Sequence, residues 1–158
     1  MLDLGNAVDS HVRLFGRFSR QVRFAGLLPD PPRGAAWTEA LSALPPHPGR
    51  AYEVVLAWNV LDYLNAGERV LLVERLAELT SRGARVYVVV DASEKTMLPP
   101  LRHTLLDLDR LFQQTVGPPL PVPGGLLPAK VERLLMPFEV VHAFTLRAGL
   151  REYVAVRE

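Results

Sequence analysis

The chain has 158 residues, 49% of them hydrophobic, which is enough for one domain over 1–158 with a buried core. Lysine and arginine (18) nearly cancel aspartate and glutamate (17), and a net charge of +1 argues against a global attraction to nucleic acid or acidic lipid. The absence of cysteine excludes disulfides, thiolate metal sites and cysteine nucleophiles, and fits a cytoplasmic protein.

In chain order, "LDLG" at Leu2–Gly5 reads as a short strand. From Asp9 the period turns helical, with Val8, Val12, Phe15 and Phe18 on one face, Arg13, Arg17 and Arg20 on the other, and Asp9 or Ser10 as N-cap. Residues 21–28 are extended until "PDPPRG" breaks the chain. Trp37, Leu41 and Leu44 predict a short helix before "PPHPG". Tyr52–Trp58 is a buried strand, and 66–80 is an amphipathic helix with Val70, Val73, Leu76 and Leu79 inward and Gly83 as its stop. A second buried strand covers 85–91, and the leucine spacing at 105, 108 and 111, with Phe112, predicts a helix over 101–114. "VGPPLPVPGG" is a loop, 128–136 a helix with proline in its first turn, and 138–146 and 152–157 strands joined at "RAGL". The apolar runs "VVLAWNVL" and "VYVVVD" are far too short to span a bilayer, and the first residues show no basic-then-apolar leader, so no membrane partner is expected. Strands alternating with helices predict an α/β fold: a doubly wound, mostly parallel sheet of six or seven strands closed by an antiparallel hairpin.

The side chains that carry chemistry are sparse. His11, His47, His103 and His142 show no paired ligand spacing, so no metal site is expected. There is no Gly-x-Ser-x-Gly elbow, no P-loop and no full dinucleotide fingerprint. The stripe of Arg13, Arg17 and Arg20, with Arg23 beyond it, reads as the wet face of a helix, so nucleic acid is not an expected partner.

Four segments together carry a resemblance. "LDLG", "YEVVLAWNVLDYL", "LVERLAELTSRGARVYVVVD" and "PFEVVHAFTLRAGLREYVAVRE" resemble the first strand and its turn, the fourth strand and following motif, the helix and fifth strand, and the closing hairpin of class I S-adenosylmethionine methyltransferases. The resemblance implies a sheet ordered 3-2-1-4-5-7-6, with the cofactor S-adenosylmethionine across the carboxyl ends of strands one and four, where the winding reverses. The stretch "LSALPPHPGRAYEVV" leaves little room for strand three, which favours six strands.

The resemblance also implies the contacts. In the first loop Asp3 and Gly5 match the family's acid and first glycine, with Asn6 between Gly5 and the next matched position. Ala7 and Asp9 stand where the second and third glycines belong. Asp9 could cap the helix, bind the ligand's ammonium or repel its carboxylate. Gly26, beside Leu27, takes the place of the acid that pairs with the ribose hydroxyls, and Asp30, four residues late, is a turn residue or a substitute. Trp58, Asn59, Val60 and Asp62 follow strand four, with Trp58 as a flat wall and Asn59 as a hydrogen-bonding group, or both as packing and turn residues. No catalytic residue is assigned and the methyl acceptor is not legible. Two functions follow: methyl transfer from S-adenosylmethionine, or a methyltransferase fold serving without catalysis as a binding or regulatory subunit. Family members carry helical segments ahead of strand one, and here that strand opens the chain. A homodimer over the bared surface is therefore expected, beside an upstream start or a lost cofactor site.

Overall fold

The computed structural model describes residues 1–124 and 126–158, so the last glycine of "VGPPLPVPGG" lies outside the described residues. The chain begins with β1 (Leu2–Gly5), α1 (Asp9–Phe15), β2 (Arg23–Leu28), α2 (Ala36–Ser42) and β3 (Tyr52–Trp58). A single 3-10 turn (Val60–Tyr63) leads into α3 (Ala66–Leu79) and β4 (Thr80–Asp91). Four short strands follow: β5 (Met97–Leu98), β6 (Leu101–Asp107), β7 (Arg110–Thr115) and β8 (Leu120–Pro121). The chain ends with α4 (Pro128–Leu134), β9 (Phe138–Thr145) and β10 (Leu150–Arg157).

Six strands form the central sheet in the order β2-β1-β3-β4-β10-β9. β1 runs parallel to both β2 and β3, and β3 runs parallel to β4. β10 is antiparallel to β4 and β9. The winding reverses between β1 and β3, as the sequence predicts. The strand that would lie outside β2 is absent among the described residues, because α2 and a proline-rich connection lead straight into β3.

β3 and β4 hold the core. Val55, Leu56, Ala57 and Trp58 of β3 are buried, as are Val86, Val88, Val89 and Val90 of β4, which is why both segments read as unbroken apolar runs. Trp37, Leu41 and Leu44 bury the α2 side against α3. α3 starts at a capping box: the Asn65 side chain accepts from the Glu68 amide at 3.0 Å, and Glu68 Oε2 accepts from the Asn65 amide at 2.8 Å.

Several expectations need correction. Residues 101–114 are not a helix but the antiparallel hairpin β6–β7. The spacing of 105, 108 and 111 fits a helical period, yet 101, 103, 105 and 111, 113 also alternate. The Asp107 side chain, accepting from the Leu108 amide at 2.8 Å, supports a tight turn between them. Leu105 and Leu111 pack against the core, while Leu106, Leu108 and Phe112 are exposed. In α1 the buried face is His11, Leu14 and Phe15, with Val12 and Phe18 outward. Its N-cap is Val8, and no side chain caps it. In α3, Leu72 joins Val73, Leu76 and Leu79 inside and Val70 faces out. The helix stops at Thr80, where the backbone turns extended, and Gly83, at φ 79°, lies within β4. "RAGL" does join β9 to β10, through a 3-10 turn with Ala148 and Gly149 at positive φ.

These burials make a direct comparison. Leu76→Ala should lower the unfolding free energy by about 2–5 kcal/mol. Val70→Ala should change it by no more than about 0.5 kcal/mol. Urea denaturation of both variants checks this, and equal losses would contradict the orientation of α3.

Candidate functional site

The site implied by the topology is the carboxyl end of β1 and β3, where the winding reverses. Asp3 sits there at 0% exposure. A carboxylate so placed must collect donors. Its Oδ1 accepts from the Gly5 amide at 2.8 Å and from Trp58 Nε1 at 2.6 Å. Its Oδ2 accepts from His11 Nδ1 at 3.2 Å. Because His11 Nε2 accepts from the Leu105 amide at 2.9 Å, Nδ1 is the nitrogen that carries the proton.

Trp58 reaches Asp3 by leaving the strand conformation, with φ 50°. A tryptophan in that region is strained by about 1–3 kcal/mol, and the buried hydrogen bond is what holds it. The indole stacks with two imidazoles: His11 at 5.8 Å and 21°, His103 at 5.0 Å and 10°. His103 comes from β6. Its Nε2 donates to Asn59 Oδ1 at 2.9 Å, and its Nδ1 accepts from Gln113 Nε2 at 3.3 Å. Burial first, and the nearby His11 second, hold the His103 imidazole down to about 4, so it stays neutral. The β6–β7 hairpin thus lies over the switch point, fastened through both histidines.

What remains open between Gly5, Asn6, His11, Leu28, Trp58 and His103 is about 20 Å³. That admits a water molecule; ligand pockets run from about 300 Å³ upward. The residues present leave no room for an adenosyl group in this arrangement.

The residues expected at the site separate into three groups. Asp3, Gly5, Asn6, Trp58 and Asn59 meet at the switch point. Ala7 and Asp9 are exposed beside it, and Asp9 opens α1 without capping it. Gly26 marks a bulge at φ 69°, where an added Cβ would sit 3.2 Å from Asn6 Oδ1, and the pairing of β1 jumps from Phe24 to Leu28 across it. Leu27 and Val60 are core residues, and Asp30 is exposed. Asp62 turns inward, accepting from the Asp91 amide at 3.0 and 3.2 Å. His11, His103 and Gln113 complete the constellation and were not singled out as site residues. The signals were a histidine sharing the inward face of α1 with Leu14 and Phe15, and a histidine in phase with Leu101 and Leu105.

Beside this closed crevice is an open cleft of about 600 Å³. It lies between the loop after β2, the start of α3 and the β8 region, with Pro31, Trp37, Tyr63, Leu120 and Val122 among its walls. The Tyr63 hydroxyl donates to the Pro99 carbonyl at 3.2 Å, and burial pushes the phenol up to about 12. Among the described residues no three His, Cys, Asp or Glu side chains gather as a metal site, and no helix is long and apolar enough to cross a membrane.

No protein-family model matches the chain, and no curated protein matches it in sequence. Solved structures match its fold. A Listeria monocytogenes protein described as an S-adenosylmethionine dependent methyltransferase is 12% identical over 99% of this chain and 89% of its own, with a TM-score of 0.61. The 1,6-didemethyltoxoflavin-N1-methyltransferase of Burkholderia thailandensis, with S-adenosylhomocysteine bound, is 16% identical over 99% of this chain and 69% of its own, at 0.59. CalS10, an S-adenosylmethionine-bound amino pentose methyltransferase from Micromonospora echinaspora, is 15% identical over 99% of this chain and 82% of its own, at 0.56. The chain spans less than two thirds of two other matched chains, 59% of one and 42% of the other. This chain therefore has the class I S-adenosylmethionine methyltransferase fold, with a six-stranded sheet.

Asp62 gives the region a measurable pH signature. Burial pushes its carboxyl up to about 7 and the Asp91 charge adds to this, against the Asp91 amide and Arg69, which pull it down. A carboxyl raised on folding favours the folded state fully below its ordinary value of 3.8, and that contribution is lost as pH rises to about 7. Relative to Asp62→Asn, the unmodified chain should lose on the order of 3 kcal/mol between pH 4 and 7.5. Urea midpoints of both proteins across that range check it; parallel profiles would show that Asp62 does not titrate there.

Proposed function

We propose that this chain is an S-adenosylmethionine methyltransferase-like protein acting as a binding or regulatory subunit, with its donor crevice closed by its own side chains. The observation that carries this reading is the saturation of Asp3. Both carboxylate oxygens are engaged, one of them by Trp58, whose indole stands where the crevice would open. The open cleft beside Tyr63 is the place where such a protein would take a ligand. A cytoplasmic location and a homodimer belong to the same reading. What supports self-association is the exposed outer strand β9, with Val141 and Phe144 on its surface.

A second reading is methyl transfer from S-adenosylmethionine to a small acceptor. It is favoured by the strand order, by Asp3 and Gly5 at the end of β1, and by neighbours whose structures hold S-adenosylmethionine or S-adenosylhomocysteine. It requires the β6–β7 hairpin to lift from His11 and Trp58 to turn off Asp3.

Calorimetric titration of the unmodified protein with S-adenosylmethionine and S-adenosylhomocysteine separates the two. The first reading expects no heat and no thermal shift up to about 1 mM ligand. Affinity near about 1 μM, some 4 kcal/mol stronger, would overturn it in favour of methyl transfer.

A further inference from the structure

At the other end of the sheet the electrostatics run the opposite way. The segments entering β1, β2 and β3 enclose a cavity of about 300 Å³ lined by Arg20, His47, Arg50 and Glu53 among others. We propose that this cavity is a binding site for a phosphate or diphosphate group carried by a small ligand. It lies outside the donor crevice and does not depend on the reading given for that end.

The cations converge from three elements. Arg20 comes from the turn after α1 and His47 and Arg50 from the connection into β3, while Arg23, at the start of β2 and outside the lining, acts on His47 through its charge. His47 is held in place: its ring meets Tyr52 edge-on at 5.1 Å, and its Nδ1 accepts from the Arg50 amide at 3.3 Å. That leaves Nε2 as the nitrogen carrying a proton to donate. The single acid of the cavity lining is Glu53, which meets Arg50 at 3.8 Å with both side chains about two thirds exposed, at 69% and 68%. Such a pair contributes little and yields readily to a better anion. Among the described residues Arg20 makes no ion pair. Burial, then the amino group of Met1, Arg50 and Arg23, hold His47 below its ordinary value, with Glu53 opposing. Cations that together hold a histidine down mark a place short of negative charge.

The chemistry selects phosphate. Arginine forks match its oxygens in paired hydrogen bonds, and a neutral imidazole N–H adds a third donor. The size selects a compact group: the volume is at the low end of ligand pockets, and Arg13 and Arg17, which a polymer would also engage, are not in its lining.

The test follows the His47 imidazole by NMR while inorganic pyrophosphate is added to the full chain at fixed ionic strength. Binding should raise the His47 midpoint by about 1 unit. Arg20→Ala and Arg50→Ala should each weaken binding about 10-fold, and Glu53→Gln should tighten it about 3-fold by removing the competing carboxylate. The gain with Glu53→Gln cannot come from a misfolded variant. An unmoved His47 at about 10 mM pyrophosphate, an equal shift with matched sodium chloride, or unchanged affinity in the arginine variants would overturn the proposal. So would a single-stranded oligonucleotide that shifts His47 while pyrophosphate does not, because the site would then serve a polymer.

Discussion

The Asp3 carboxylate governs the carboxyl end of this sheet. It is wholly buried within the shortest central strand, two residues before its end, and a charge so placed is tolerated only when hydrogen bonds replace water. The Gly5 amide supplies one donor locally, but the remaining donors must come from elsewhere in the chain. Trp58 bends out of β3 into positive φ to bring its indole N–H, and His11 turns in from α1. Each response creates the next surface. The indole presents a flat ring against which both His11 and His103 stack. His103 and the Leu105 amide then fix the β6–β7 hairpin over the loop.

Architecture and chemistry separate at this point. The strand order places an acid and a glycine at the switch point. Yet an acid whose lone pairs are satisfied internally has little to offer a ligand. Opening the crevice would strip Asp3 of Trp58 and leave it partly unpaired, at a cost of about 3–5 kcal/mol. A ligand can open it only by binding the open form more tightly by at least that amount. The left-handed backbone of Trp58 would return part of the cost on release.

The central sheet was legible because its signals are local. "YEVVLAW" and "RVYVVVD" are apolar runs too short for helices, and the proline-rich path from Leu41 to Tyr52 left no place for a seventh strand. The hairpin was not legible for a physical reason. Leucines at 105, 108 and 111 satisfy a helical repeat, and only the burial of His103 and the pairing of Leu105 with Leu111 select the period of two. The faces of α1 and α3 failed similarly at Val12, Phe18 and Val70, where an apolar residue at the right spacing borders the buried stripe instead of joining it. Asp3, Trp58 and Asn59 lie together at the switch point. The histidines that join them come from elements whose position depends on the tertiary fold, and spacing along the chain carries no trace of that.

A net charge of +1 conceals how unevenly the charge is satisfied. At the carboxyl ends of β1 and β3 the acid is buried and fully partnered, so the local field is spent inside the protein. At their amino ends Arg20, Arg50 and His47 line one cavity with Glu53 as its lone acidic lining residue, and Arg23 acts on His47 from nearby. Arginine donates and cannot shed its proton, so the charge of this cluster persists and is met by water and mobile ions instead of by internal hydrogen bonds. The two ends of one sheet therefore differ in kind. One has turned its polar groups inward and closed, and the other holds its donors outward, open to an incoming anion.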